Sequence, residues 1–316
     1  MCIALLSNAH PKYKLILINN RDEFLDRPTA SASWWPKPDA DVLGGRDLLR
    51  PEQGTWLGIT KQGRIAVLTN FRSDSSPARG AVSRGAIIRA FLTGSFPSTE
   101  DFARQTIDSQ LIREAGGFSL LCGRIGDPLT VISNSSSSVN ELPVFALQPP
   151  RTVGLSNAAF EDRGWKKVID GEHELEAAIE DNVNQVESED AFVNRLFGLL
   201  SIDTLPRLQQ DEDLSSYLGA LKNTIFVPPL GQGGSTSSKK VSMTGDGDQS
   251  DPSTGNKDVN GMGLYGTQKQ TVVLVSQSNR VRFLERTLYD ASRKIIPIGQ
   301  GDREFTFDIE EEAEKE

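Results

Sequence analysis

Residues 14–28 read KLILINNRDEFLDRP, and residues 2–8 read CIALLSN. The two apolar runs flank AHPKY (9–13), a turn-like stretch containing Pro11. Together they predict a β-hairpin with both strands largely buried. The second strand then ends in five polar or charged residues, Asn19 to Glu23, which is unusual for a segment that only meets water. Alternation along the strand puts Asn20 and Asp22 on one face, with Asn19, Arg21 and Glu23 on the other. Pairing aims this cluster back at Cys2. Spacing alone leaves two readings open: a polar pocket beside Cys2, or a surface loop with an internal ion pair and a turn at Asp26-Arg27-Pro28.

The same pattern of apolar run, turn and apolar run recurs along the chain. GTWLGITKQGRIAVLTNF (54–71) turns at Lys61-Gln62-Gly63, and GFSLLCGRIGDPLTVIS (117–133) turns at Gly126-Asp127-Pro128. QTVVLVSQSNRVRFLER (270–286) turns near Ser278-Asn279, and TVGLSN (152–157) adds a short strand. Helical spacing marks 83–93 and 98–113, each behind a serine cap, then 162–181, 187–200 and 211–223. Hairpins near both ends with helices between them predict an α+β domain over 1–310, with antiparallel sheets covered by helices. Residues 231–263 hold eight glycines and four large apolar side chains. That composition predicts a disordered insertion, because it buries too little surface to offset chain entropy.

The whole chain has 316 residues, 37% hydrophobic and 24% charged, a globular composition. No apolar run approaches the ~20 residues of a transmembrane helix. CIALL lacks the cationic stretch that precedes a secretory core. The expectation is therefore a soluble, cytoplasmic protein. Cys2 and Cys122 are too few for a disulfide framework. The net charge is −9, and the eight acidic and two basic residues from Asp302 to Glu316 account for −6 of it. The body is left near −3, without the basic face that nucleic acid requires. Residues 310–316 read as a disordered, solvated acidic tail.

Cys2 offers chemistry that needs no histidine. His10 in the first turn and His173 in DGEHELE read as surface residues, and neither has the spacing of a metal ligand. Removal of Met1, favoured by the small residue behind it, would leave Cys2 with a free α-amine whose ordinary pKa is ~7.7–8.0. Such an amine serves as general base toward its own thiol. A neighbouring arginine favours the thiolate, and a carboxylate holds the ammonium. The four tryptophans, including Trp34 and Trp35 beside the NRDE segment, read as core residues by default.

These residues resemble the NRDE-motif family, also called the transport and Golgi organisation protein 2 family. The resemblance is carried by MCI at the start, NRDEFLDRP (20–28), GTWLGI (54–59), LTNF (68–71), RG at 79–80 and 84–85, GLSN (154–157), YGT (265–267) and VRFLER (281–286). These stretches lie in family order. That family in turn resembles N-terminal-nucleophile hydrolases of the choloylglycine and penicillin-acylase type, which implies a four-layer αββα sandwich with Cys2 at the mouth of a central sheet. Carried over residue by residue, Cys2 matches the nucleophile and Arg21 with Asp22 the arginine–aspartate pair. Asn70 and Asn157 match donors to an oxyanion or substrate. The hydrolases space their Arg and Asp three apart, whereas here they are adjacent. YGT is commonly followed by Arg, whereas this chain has Gln268, with Lys269 or Arg21 as substitutes.

The resemblance implies a role in Golgi organisation, protein secretion and lipid homeostasis, in the cytoplasm with Golgi or mitochondrial association. A small or lipid-linked ligand such as acyl-CoA or haem would bind around Cys2, with Asn20, Glu23, Arg79, Arg84 and Gln268 as ligand-binding candidates; no cofactor or metal is required. Arg79, Arg84 and Arg89 flank a helix N-terminus, a favourable place for phosphate. Cys2 and His10 are the candidate haem ligands. The alternative is an N-terminal cysteine amidohydrolase or acyltransferase that cleaves a small amide or thioester. A third reading is a scaffold whose ancestral site has decayed.

Overall fold

The first hairpin sets the register of everything around it. Strand β1 (Ile3–Ser7) pairs antiparallel with β2 (Tyr13–Phe24), Ile3 lying opposite Asn20 and Ser7 opposite Ile16. β2 runs through the NRDE cluster, and Asn19 to Glu23 are all buried. This removes the surface-loop reading of that segment. The computed structural model describes residues 1–71, 83–109, 112, 114–160, 162–206, 219–230 and 264–310.

In chain order the remaining strands are β3 (Thr29–Trp34), β4 (Val42–Asp47), β5 (Leu57–Thr60), β6 (Arg64–Asn70), β7 (Phe118–Arg124), β8 (Leu129–Ser133), β9 (Val144–Phe145), β10 (Thr152–Leu155), β11 (Tyr265–Ser276), β12 (Arg280–Thr287) and β13 (Asp302–Asp308). One antiparallel sheet has the order β10-β1-β2-β11-β12-β13, and the other runs from β3 to β9 in sequence order. The longer helices among the described residues are α1 (Arg84–Thr93), α2 (Thr99–Asp108), α3 (Lys166–Gln185) and α4 (Glu189–Leu200).

Alternation of side chains decides how these elements stack. Leu17, Val273 and Phe283 of the first sheet meet Leu57, Val67 and Leu121 of the second in a central core. Ile3, Leu5, Ile16 and Ile18 point the other way, against Leu175, Ile179, Phe192 and Leu196 of α3 and α4. Ala66, Leu68 and Leu120 of the second sheet pack outward on Ile87, Ile88, Phe91 and Phe102 of α1 and α2. The layers therefore run helix, sheet, sheet, helix. Both sheets bury two faces, so several strands are continuously apolar. The αββα arrangement matches the expected fold class.

The predicted turns are present, with Gly63, Gly126 and Asn279 at positive φ. Strands β3, β4, β9 and β13 are additional to the expected set. β4 lacks a strong signal because VLGGRD carries two glycines: a side chain at Gly45 would strike the ring of Trp56. β13 lies in the acidic stretch that begins at Asp302, where no strand was expected. Phe305 and Phe307 alternate inward, while Glu304 and Asp302 pair across the edge with Arg282 and Arg286. Ile309 also packs on the central core.

His10 is buried rather than exposed, its ring bonded to Asn182 and to the Lys12 N–H. Trp34 and Trp165 are half-buried, whereas Trp35 and Trp56 are core. The insertion at 231–263, most of the helix expected at 211–223, Arg79 and the tail beyond Glu310 lie outside the described residues.

Candidate functional site

Extended past Ile3 and Asn20, the register brings Cys2 alongside Arg21 and Met1 alongside Asp22, in keeping with the Met1–Asp22 ion pair. Cross-strand neighbours share a face, so the two pairs point in opposite directions. Cys2 and Arg21 face the space between the sheets. Met1 and Asp22 face the helical layer.

On the helical side, the Met1 ammonium lies 3.1 Å from Asp22 Oδ2 and donates to the Tyr265 hydroxyl. Asp22 Oδ1 accepts from Thr267 at 2.8 Å. Lys167, in the first turn of α3, is wholly buried and donates to the Met1 carbonyl. Burial lowers the pKa of the Met1 amine and of Lys167, with Asp22 opposing both shifts. Burial also pushes the Tyr265 hydroxyl well up, Asp22 adding to it. The Met1 side chain packs against a cluster of Leu221, Val227 and Leu230, as do Leu205 and Tyr265.

Cys2 itself is held by backbone. Its sulfur accepts from the Asp22 N–H at 3.4 Å and lies 3.6 Å from the Asp22 carbonyl. Its own carbonyl accepts from the Ser156 hydroxyl at 2.7 Å, and the Ser156 carbonyl accepts from Thr69 at 2.6 Å. Asn157 and Asn70 are the immediate neighbours of these two residues, so GLSN and LTNF converge on the Cys2 backbone. Among the described residues, Asn157 Oδ1 is buried without a hydrogen-bond partner. Burial raises the Cys2 thiol pKa, while the N-terminal ammonium and Arg21 oppose the shift.

Between the sheets, the Arg21 guanidinium stacks 4.5 Å above the Trp56 ring and lies 3.6 Å from Asp47. It also donates to Gln268 Oε1. Gln268 sits at a register shift in β11 and donates onward to the carbonyls of Leu25 and Arg27. Asp47 accepts from Arg27 at 2.7 Å, and Arg27 lies 3.8 Å from Glu23. Burial raises the Glu23 carboxyl pKa, with Arg21 and Arg27 opposing. Lys269, proposed as a substitute for the absent arginine, is instead paired with Glu285 at 3.1 Å.

Asn20 acts as a strut, donating to the carbonyls of Leu200 and Ile225. Arg84 opens α1 beside Gly116, on the outer face of the second sheet, apart from the Cys2 hairpin. Arg89 pairs with Asp39 and the Glu52 carbonyl rather than offering a free cation. His10 does not fit haem ligation with Cys2: both ring nitrogens are engaged, and it lies at the far end of the hairpin.

Sequence reading missed Lys167, Ser156, Asp47 and the roles of Tyr265 and Thr267. Lys167 had a signal. It precedes Gly171, Leu175, Ala178 and Ile179 at helical spacing, on the face that α3 buries.

A family model described as Transport and Golgi organisation 2 matches residues 1–290. The chain is 29% identical over 322 residues to an uncharacterized protein of Saccharomyces cerevisiae, covering 93% of this chain and 94% of the relative. It is 28% identical over 287 residues to the human Transport and Golgi organization protein 2 homolog, covering 88% of each. Among solved structures, it is similar to a penicillin V acylase from Agrobacterium tumefaciens, at 11% identity and a TM-score of 0.42, covering 97% of this chain and 86% of that one.

Proposed function

The chain belongs to the Transport and Golgi organisation 2 family, and on that premise we propose that it acts in Golgi organisation by binding a small acyl-bearing ligand around Cys2. With Met1 removed, the Cys2 thiol becomes an N-terminal nucleophile toward the amide or thioester of that ligand. One observation carries this reading. The chain terminus, which normally frays, is fixed in a buried cluster where the Met1 amine meets the Asp22 carboxylate and the Cys2 sulfur meets the Asp22 backbone.

Each residue has a role in this chemistry. The α-amine of Cys2 takes the thiol proton, as N-terminal amines do for their own nucleophiles. Asp22 holds the resulting ammonium, and Arg21 favours the thiolate from the same face of the hairpin. Asn70 and Asn157 supply neutral amide donors for charge developing on the acyl oxygen. Gln268 keeps Arg21 in place rather than meeting the ligand.

A second reading is a pocket that binds acyl-CoA without cleaving it: while Met1 is in place the Cys2 nitrogen is an amide that cannot act as base, and the thiol is held against the Asp22 backbone. Alkylation of the Met1-free protein by iodoacetamide near neutral pH, followed by intact mass, separates the two. Labelling of Cys2 much faster than Cys122, abolished in Cys2→Ala, supports the nucleophile. An inert Cys2 in the Met1-free protein ends that reading and leaves binding.

A further inference from the structure

Met1 is itself an acyl group on the nitrogen of Cys2, and the protein builds a seat for it. Its carbonyl oxygen accepts from Lys167, and five non-hydrogen atoms follow that carbonyl into the nook formed with Leu221, Val227 and Leu230. Among the described residues, the only hydrogen bond of the Lys167 ammonium goes to that carbonyl. Lys167 is 0% exposed and its own N–H is anchored on the Lys222 carbonyl at 3.1 Å. A buried cation that loses its acceptor is costly, so loss of Met1 leaves Lys167 in need of another carbonyl or anion. The side chain of Met1 is 26% exposed, so the seat is open to solvent at one side.

Resting on the nucleophile reading above, we propose that this seat is the acyl subsite of the Cys2 pocket, taking a straight-chain acyl group of about hexanoyl length. Lys167 holds the acyl carbonyl oxygen, and Leu221, Val227 and Leu230 cover the chain. An S-acyl group and an N-acyl group on one cysteine interconvert through a five-membered ring, so the carbonyl carbon of an acyl group on sulfur comes within reach of the Met1 carbonyl position, its chain then turning from the inter-sheet face of Cys2 into the seat on the helical face. The thiol proton passes to the Cys2 α-amine, and the sulfur lone pair forms the S–C bond. The bond from the acyl carbon to its amine or thiol leaving group then breaks, and the ammonium returns the proton to that group. Water attacking the S-acyl carbon releases the carboxylic acid and restores the thiol.

The test uses full-length Met1-free protein, verified by intact mass, with acetyl and hexanoyl thioesters of N-acetylcysteamine. Rates are divided by those of free cysteine with the same thioester. The hexanoyl compound should be consumed at least tenfold faster than the acetyl one. Val227→Trp, which fills the seat, and Lys167→Met, which removes the donor, should each bring the ratio towards one. Equal rates in the parent protein, or a ratio untouched by both variants, overturn the proposal. Binding to Met1-free Cys2→Ala distinguishes its failure from that of the nucleophile reading. Hexanoyl preferred tenfold in binding, with no turnover in the parent protein, supports the seat and ends the nucleophile. Turnover without chain preference overturns the seat and leaves the nucleophile standing.

Discussion

The Arg21 guanidinium donates to the side-chain oxygen of Gln268, at the register shift that lets β11 bend past β2. Gln268 thereby joins Arg21 to the turn at Leu25 and Arg27, whose carbonyls accept its amide hydrogens at 3.3 and 3.2 Å. An arginine at 268 would set two guanidinium groups together in a buried layer and would take from Arg21 the acceptor that Gln268 Oε1 provides, leaving Asp47 at 3.6 Å as its partner.

Gln268→Arg should accordingly destabilise the fold by about 2–4 kcal/mol, through like-charge contact and lost acceptance of a charged donor. The midpoint of urea unfolding should fall with little change in slope. Stability equal to the parent would mean that the bend has room for both cations and that Gln268 does not hold Arg21.

Lys269 and Glu285 form an ion pair at 3.1 Å, each side chain 1% exposed, and Glu285 also accepts from the Ala32 N–H at 2.7 Å. Removing one partner strands the other in the core, so Lys269→Met should cost about 3–5 kcal/mol. Lys269→Met/Glu285→Gln should recover part of that loss, because the neutral amide still accepts from Ala32. Additive losses in the double-mutant cycle would contradict the pairing.

Much of this frame is legible in the chain. The β1–β2 hairpin, the three hairpins turning at Gly63, Gly126 and Asn279, and helices α1, α2, α3 and α4 follow from apolar period and turn chemistry. β13 escaped because its four charged residues mask the strand signal, although Phe305 and Phe307 keep a period of two. His10 escaped because a turn position looks exposed until Asn182 of α3 arrives from far along the chain. Lys167 escaped for a similar reason: a lysine is read as solvated unless its helical face is weighed more heavily than its charge. Contacts that depend on packing between layers, such as Arg21 over Trp56, leave no mark in local sequence.

The thiol of Cys2 should titrate differently before and after loss of Met1. With Met1 present, burial favours the neutral thiol, so the alkylation midpoint should lie above the ordinary thiol value of about 8.5. The same raised pKa contributes stability that is complete below the ordinary thiol range and is lost as pH rises through the folded-state value. Without Met1, the adjacent amine should bring the midpoint down. Alkylation rates against pH, read by intact mass with Cys2→Ala as blank, check both signs; identical profiles would remove the amine from the chemistry.

Residues 231–263 can be replaced by a four-residue turn without loss of the fold. The prediction follows from Leu230 and Tyr265, which exchange two backbone hydrogen bonds at 2.7 and 2.8 Å and so already form the closed end of an antiparallel bridge. Val227 adds a third tie, accepting from the Thr267 N–H at 2.8 Å, and its own N–H donates to the Thr267 hydroxyl. A shorter connection between ends already in register lowers the closure entropy, raising stability by up to about 2 kcal/mol on the logarithmic dependence of that entropy on loop length. Urea unfolding of the shortened chain should give a midpoint equal to or above the parent, and the Met1–Asp22 cluster should persist because Tyr265 keeps its place. A loss of more than about 1 kcal/mol, beyond what loop closure explains, would show that the replaced residues contribute contacts to the fold.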